Sequence, residues 1–175
     1  MNKVAVFGNA GGGKSTLSKR LAKMTGLPLV ALDQLKYKAG GEEVPHGEFK
    51  IAHDQILQQN QWLIDGFGSL DTLWTRLDAA DTLVYVDMPV LRHYWWVTKR
   101  FLKGLFTPPE GWPENSPLLI GTLNSYSTIR LCDQRLTPKY REYVHQAKET
   151  KQVYHLQSCK DVEAFYQAIT IKLTK

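Results

Sequence analysis

The chain has 175 residues, of which 43% are hydrophobic, and it carries a formal net charge of +5. These values suit one domain with a substantial core, and no linker-like stretch or membrane-length apolar stretch interrupts the chain. The sequence enters its first predicted strand without a signal-peptide pattern, so we expect a cytoplasmic protein with no membrane partner. Its two cysteines lack a metal-ligand spacing, which argues against zinc and disulfide chemistry.

Apolar runs of strand length alternate with helical patterns along the whole chain. This alternation predicts a parallel sheet between layers of helices, an α/β three-layer fold in a single domain over residues 1–175. The predicted strands cover residues 3–7, 27–32, 62–65, 82–87 and 152–156. The predicted helices cover residues 14–25, 48–59, 72–77, 91–105, 118–131, 138–150 and 160–173.

The first predicted strand runs directly into a glycine-rich segment that matches the phosphate-binding pattern GxxxxGK(S/T) at every fixed position. Glycines are needed there because successive backbone amides must turn toward the β- and γ-phosphates of a nucleotide. Lys14 can reach the same phosphates, and the hydroxyl group of Ser15 can ligate Mg²⁺. We therefore expect a nucleoside triphosphate to be bound by Gly8, Asn9, Ala10, Gly11, Gly12, Gly13, Lys14, Ser15 and Thr16.

Three aspartates end or follow predicted strands, at the edge where open parallel sheets bind their ligands. Asp33 follows the second strand, Asp65 ends the third and Asp87 ends the fourth. A carboxylate near the phosphate loop can hold Mg²⁺ or act as a base toward a hydroxyl group. We assign Asp65 to the metal together with Ser15, and we assign Asp33 to catalysis, as a base or as a metal-associated group.

Transfer of a phosphoryl group also requires cations that close over the γ-phosphate. Residues 104–117 are rich in proline and glycine and are predicted to form an exposed loop with basic residues on both sides. We expect a lid over about residues 100–117 that brings these cations to the phosphates. Arg100 is assigned to catalysis, and Arg130 and Arg135 are assigned to nucleotide binding.

The glycine-rich loop is followed in order by WLIDGF (62–67), LVYVDMP (83–89) and a basic helix. With these motifs the chain resembles the adenylate-kinase-like P-loop kinases, and most closely the small DNA topology modulation proteins, FlaR-related. The resemblance covers almost the whole chain. It implies the P-loop NTPase fold with a five-stranded nucleotide-kinase sheet and a short lid, ATP with Mg²⁺ as donor, and a lid arginine at Arg100.

The chain also departs from the adenylate-kinase pattern. Asp65-Gly66-Phe67 occupies the place of the family's DGF segment, but Gly68 and Ser69 follow where the family has Pro-Arg. The arginine that grips a nucleoside monophosphate at that point is therefore missing, and Arg76 in the next predicted helix is a candidate to replace it. Trp96 stands where relatives often carry the first arginine of the lid helix, and packing is the expected role of this side chain.

In such kinases the acceptor lies between the second strand and the next helix, here within an insertion over about residues 34–61. Lys36 and Lys38 in this segment suit a phosphate, whereas Asp33 suits a hydroxyl group, so the residues leave both acceptor classes open. His53 in the following helix is expected to face solvent.

Together these features predict an ATP- and Mg²⁺-dependent phosphotransferase that acts on a nucleoside monophosphate or another small acceptor. The alternative is a nucleotide-dependent regulator that binds DNA. The sequence contains no (N/T)KxD guanine-reading motif, no helix-turn-helix pattern and no aromatic residues interleaved with a basic stripe. The small positive charge permits contact with nucleic acid but does not indicate a site, and the oligomeric state stays open.

Overall fold

Five parallel strands form the centre of the fold. They are β1 (Lys3–Gly8), β2 (Leu29–Ala31), β3 (Trp62–Asp65), β4 (Thr82–Val86) and β5 (Gln152–Leu156). The computed structural model describes residues 1–38, 42–105 and 118–174, and within them the strand order is β2-β3-β1-β4-β5. Because β1 lies between β3 and β4, the glycine-rich segment leaves the sheet at the middle of its carboxyl edge.

Helices cover both faces of this sheet. In the described part of the chain they are α1 (Lys14–Thr25), α2 (Leu32–Lys36), α3 (His46–Leu57), α4 (Leu70–Ala79), α5 (Val90–Gly104), α6 (Leu118–Arg135), α7 (Thr137–Ala147) and α8 (Cys159–Leu173). Buried residues of α1 and α8 form a core on one face, and those of α3, α4 and α7 form a second core on the other.

The sequence of β1 explains the layered architecture. Val4 and Val6 are buried in the core with α1 and α8, whereas Ala5 and Phe7 are buried in the opposite core. Successive side chains of a strand point to opposite faces, so a parallel sheet covered on both faces needs apolar residues at every position. The uninterrupted apolar run before the glycines is therefore what this central position requires. Phe7 stacks on Tyr85, with their ring centroids 5.0 Å apart.

The predicted α/β fold with a five-stranded parallel sheet is confirmed. The second strand is shorter than predicted because α2 begins at Leu32, and the sequence pattern does not indicate this short helix. α4 begins earlier than predicted because Ser69 and Thr72 form a capping box at its start. The predicted lid over about residues 100–117 lies largely outside the described residues.

The prediction that His53 faces solvent is wrong, because its side chain is 0% exposed. His53 is buried on α3 together with Phe49 and Leu57. The spacing of four residues places all three on one side of the helix, and this spacing was the signal in the sequence. Burial lowers the pKa of the His53 imidazole below its usual value.

Two further sequence expectations concern membranes and thiols. Among the residues that the structure describes, no helix combines the length and the apolar character needed to cross a bilayer. Both cysteines are free, Cys132 buried and Cys159 exposed. Burial raises the pKa of the Cys132 thiol to about 11, which keeps it in the unreactive protonated form.

An ion-pair cluster around the buried carboxylate of Asp87 fastens the carboxyl end of β4 to its neighbours. The side chain of Asp87, which is 3% exposed, accepts hydrogen bonds from Arg141 Nε at 2.8 Å and Arg141 Nη2 at 3.1 Å. His155 Nε2 on β5 lies 2.8 Å from the same carboxylate. Burial alone would raise the pKa of Asp87, but its hydrogen bonds to Arg141 and His155 bring it below the usual value.

We expect Asp87→Asn to destabilise the fold by about 1–2 kcal/mol near neutral pH, since charge-assisted hydrogen bonds to a buried carboxylate are lost while the exposed Arg141 side chain is screened by solvent. The folded-state pKa of Asp87 is depressed, so its contribution is complete above the unfolded value, about 3.9, and is lost as the pH falls through the folded value. Urea unfolding of both proteins across this acidic range measures the difference. Glu149→Gln, an exposed acid beyond α7, is the control. Equal stability of parent and Asp87→Asn at every pH contradicts the assignment.

Candidate functional site

The glycine-rich loop, residues 8–16, packs tightly against the end of β4. Gly8 has a φ of 138°, and a Cβ atom there would lie 2.2 Å from the carbonyl oxygen of Val86. An L-residue at Gly8 would therefore clash with the backbone of the adjacent strand and be strained. This contact fixes where the chain leaves the sheet and turns into the loop.

Helix α5 supports the loop from the opposite side. A Cβ atom on Gly12 would lie 2.8 Å from Cε1 of His93, so the imidazole of this buried histidine packs directly on the loop backbone. His93 Nδ1 lies 2.8 Å from the carbonyl oxygen of Ala10, and Nε2 lies 3.1 Å from that of Met88. No pattern in the sequence indicates a role for His93, because an isolated histidine in a helix gives no local signal.

Asn9 connects the loop to α6. Its side-chain oxygen accepts a hydrogen bond from the backbone amide of Ala10 at 2.7 Å, and its Nδ2 donates to the carbonyl oxygen of Ile129 at 2.9 Å. Both polar ends of the Asn9 side chain are thus engaged by the protein. Asn9 shapes the loop, and its role in nucleotide contact stays a prediction.

Lys14 and Ser15 begin α1 at the mouth of the loop. Lys14 Nζ donates to the carbonyl oxygen of Asn9 at 2.8 Å, which holds the ammonium group over the loop. The Ser15 side chain is exposed and hydrogen-bonds to the carboxylate of Asp65. The loop lysine, the loop serine and the aspartate at the end of β3 therefore meet at one place.

Asp65 is buried, and burial raises its pKa, with the charge of Lys14 and the hydrogen bond from Ser15 opposing the shift. Its Oδ1 atom is buried without a hydrogen-bond partner in the described residues. A buried carboxylate oxygen without a partner is costly, and a cation or a ligand removes that cost.

The three aspartates at the sheet edge have different environments. Both oxygens of Asp87 are occupied by Arg141 and His155, so that carboxylate is already neutralised. Asp33 is exposed on α2, and a Cβ atom on Gly66 would lie 3.5 Å from its Oδ1. Asp33 therefore stands next to the segment that follows Asp65, and the structure leaves Asp33 and Asp65 as the acids open to a ligand.

Arg100 on α5 lies close enough to Asp33 for their charges to interact. Burial lowers the pKa of its guanidinium group, and the negative charge of Asp33 opposes that shift. Arg100 Nη2 also donates to Ser125 Oγ on α6 at 3.3 Å. The structure thus brings Lys14, Ser15, Asp33, Asp65 and Arg100 to the same edge of the sheet.

The sequence matches no protein-family model and no curated protein. The fold is similar to that of a shikimate kinase from Acinetobacter baumannii in complex with shikimate, with a TM-score of 0.60 and 14% identity over 99% of this chain and 94% of that chain. A shikimate kinase from Bacteroides thetaiotaomicron gives a TM-score of 0.58 and 14% identity over 98% of both chains. The chain has the P-loop kinase fold. At this identity the likeness is one of fold alone, and the resemblance to the topology modulation proteins is not shown.

Arg130 and Arg135 are exposed side chains on α6. The same helix contacts the loop through the Ile129 carbonyl, but no hydrogen bond or ion pair in the described residues joins either arginine to the loop. Their assignment to nucleotide binding stays a prediction.

The side chain of Trp96 on α5 is partly buried and packs at the edge of the core that contains α1 and α8.

Arg76, the candidate to replace the missing arginine, is buried, and its Nε and Nη1 atoms have no hydrogen-bond partner in the described residues. Its side chain is 0% exposed, and Nη2 donates to the carbonyl oxygen of Gly66 at 2.9 Å and to that of Phe67 at 3.4 Å. Burial lowers the pKa of its guanidinium group to about 10, so it remains charged at neutral pH. Arg76 therefore holds the turn after Asp65 from inside the protein.

In the segment expected to bind the acceptor, one of the two lysines is paired with an acid and the other, Lys38, has an exposed side chain. Lys36 Nζ lies 3.5 Å from Glu43 Oε1, and Tyr37 pairs with Glu43 in an antiparallel bridge. The Lys38 amide donates to the Glu42 carbonyl at 2.8 Å, so residues on both sides of 39–41 are paired to each other. Residues 39–41 themselves lie outside the described residues.

Ser15 and Asp65 fit a bound Mg²⁺ ion. Both offer oxygen ligands, and Oδ1 of Asp65 is the orphaned atom that such an ion would satisfy. The described residues contain no group of three or more His, Cys, Asp or Glu side chains placed to hold a metal. This small protein ligand set suits Mg²⁺, which commonly keeps several water ligands and binds through substrate phosphates.

We expect Gly12→Ala to destabilise the protein by about 1–3 kcal/mol, because the new methyl group would displace the His93 ring. Gly47→Ala in the first turn of α3 is a matched control, since a Cβ atom there meets nothing within 4 Å. Alanine also has the higher helix propensity, so Gly47→Ala should be neutral or stabilising. Thermal unfolding of both variants measures the contrast, and equal melting temperatures would show that the loop has room for a side chain.

Proposed function

We propose that the protein is an ATP- and Mg²⁺-dependent phosphotransferase that transfers the γ-phosphoryl group to a small acceptor. The observation that supports this most directly is the convergence of Lys14 and the Ser15–Asp65 pair with Asp33 and Arg100. Phosphoryl transfer depends mainly on positioning and charge neutralisation, and these groups supply both.

On the donor side, the loop amides and Lys14 would bind the β- and γ-phosphates. The Ser15 hydroxyl and Asp65 would hold Mg²⁺, which when bound would neutralise charge on those phosphates. In the structure the ammonium group of Lys14 donates to the Asn9 carbonyl, so it already lies over the loop. Preference for ATP over other nucleoside triphosphates rests on the resemblance to adenylate-kinase-like enzymes.

On the acceptor side, a hydroxyl compound suits the site better than a nucleoside monophosphate. A phosphate acceptor needs cations, but Arg76 is buried and Lys36 is paired with Glu43, which leaves the exposed side chains of Lys38 and Arg100. The exposed carboxylate of Asp33 would repel a phosphate dianion, whereas Asp65 is buried and is assigned to the metal. Shikimate, the ligand in one structural neighbour, is not a nucleotide, which is compatible with this choice.

Asp33 would act as the base in the transfer step. Its carboxylate would accept the proton of the acceptor hydroxyl while that oxygen forms a bond to the γ-phosphorus. The bond between the γ-phosphorus and the β–γ bridging oxygen would break, and ADP would leave. Arg100, which interacts with Asp33, would lie beside the transferred group and stabilise its negative charge.

Lys14→Met tests the donor assignment. We expect acceptor-dependent ADP formation to fall at least about 100-fold, because a cation that stabilises the transition state is removed. Circular dichroism should show an intact fold. Lys23→Met, an exposed lysine on the same helix, should behave like the parent. Equal turnover by the parent and Lys14→Met would exclude the proposed reaction.

Asp33→Asn tests the acceptor class, in a coupled ADP-release screen over nucleoside monophosphates, nucleosides and hydroxylated metabolites. For a hydroxyl acceptor we expect the rate to fall about 100-fold, with ATP affinity unchanged, because the base is lost. Turnover only with nucleoside monophosphates, and at an unchanged rate in Asp33→Asn, would refute the hydroxyl assignment. In that case the broader kinase proposal would stand.

A further inference from the structure

His93 is a buried residue of α5 that contacts a backbone carbonyl group of the glycine-rich loop. Among the buried side chains of the described residues, it alone makes such a contact from another helix. Its Nδ1 atom lies 2.8 Å from the Ala10 oxygen, and its ring packs on Gly12. The Ala10 amide is already occupied by the Asn9 side chain. The next amide along the loop is that of Gly11, and it shares a peptide plane with the Ala10 carbonyl.

The orientation of this peptide plane matters for ligand binding. In a trans peptide the carbonyl and the following amide point in opposite directions, and the peptides of the described chain are trans. A hydrogen bond that pulls the Ala10 oxygen toward α5 therefore turns the Gly11 amide away from α5. Loop amides that point into the concave side are what bind phosphate in such loops.

Both ring nitrogens of His93 face carbonyl oxygens, Nδ1 at 2.8 Å from Ala10 and Nε2 at 3.1 Å from Met88. A protonated ring can donate to both, whereas a neutral imidazole has one N–H group and can donate to only one of them. The shorter contact is the one made by Nδ1. Burial lowers the pKa of His93, the two carbonyl groups oppose this, Lys14 lowers the pKa further and Asp133 raises it. We assign the proton of the neutral ring to Nδ1.

We propose that His93 is a positioning residue that holds the Ala10 carbonyl outward through Nδ1–H and thereby aims the Gly11 amide at the triphosphate. This inference rests on the proposed function only in requiring that the loop binds triphosphate. It concerns phosphate affinity and is independent of the acceptor.

Three substitutions separate positioning from packing. Asparagine places an amide N–H near the Nδ1 position, glutamine places one near the Nε2 position, and leucine offers none. Inorganic tripolyphosphate without Mg²⁺, at about pH 8 where a histidine is neutral, is the probe. We expect His93→Asn to bind within about threefold of the parent, and His93→Gln and His93→Leu to bind about tenfold or more weakly by calorimetry, since one buried hydrogen bond is lost.

Thr98→Val is the control for general weakening of α5. It removes the 2.7 Å hydrogen bond between Thr98 and Tyr126 on α6, and neither of these side chains hydrogen-bonds to the loop in the described residues. It should lower the melting temperature without changing tripolyphosphate affinity.

The inference is overturned if asparagine and glutamine weaken binding equally, or if neither does. Where His93→Leu fails to fold, the asparagine and glutamine pair decides. If the parent protein itself does not bind tripolyphosphate, the donor half of the proposed function fails, and the inference fails with it. Normal binding by the parent with no difference among the variants refutes the His93 inference alone.

Discussion

The structure depends on close backbone packing around one loop at the middle of the sheet edge. Gly8 lies against the Val86 carbonyl, and Gly12 lies against the imidazole of His93. Neither position has room for a Cβ atom, so β4 and α5 can both support the loop at contact distance. Asn9 adds a third support from α6. A loop held on three sides can keep its amides oriented before a ligand arrives, and such preorganisation is what electrostatic stabilisation of phosphates requires.

Three chemically identical aspartates at the sheet edge have different surroundings. Asp87, at the end of β4, is held by Arg141 and His155, and its lowered pKa reflects a carboxylate that stabilises the fold. Asp65, at the end of β3, is buried with one oxygen unpaired and has a raised pKa. Asp33 remains exposed and faces Arg100. Each role is set by what surrounds the carboxylate, because burial and neighbouring charges act on the same group in opposite directions.

Local patterns in the sequence were sufficient to predict the loop, the five strands and the position of Asp65 at the ligand-binding edge of the sheet, because each depends on neighbouring residues or on the general geometry of parallel sheets. The burial of Arg76 and the His93 contact with Ala10 were not predictable in this way. Both depend on pairs of residues far apart in the chain, Arg76 with Gly66 and His93 with Ala10. Secondary-structure periodicity locates a side chain on a helix face, but it does not identify the backbone group that this face meets.

The absence of an arginine after Phe67 is a structural feature of the turn. Gly68 has a φ of 69°, and a Cβ atom there would lie 3.0 Å from Phe49 Cζ and 3.1 Å from Thr72 Oγ1. A larger residue at Gly68 would therefore be strained and crowded, and Ser69 is used to cap α4. Arg76 then stabilises the turn from the protein interior, by donating hydrogen bonds to the Gly66 and Phe67 carbonyl oxygens. The guanidinium group of Arg76 is buried in the protein, so this turn presents no exposed arginine at the place where the adenylate-kinase pattern has one. The proposal of a hydroxyl acceptor, rather than a second phosphate, rests on this feature of the turn.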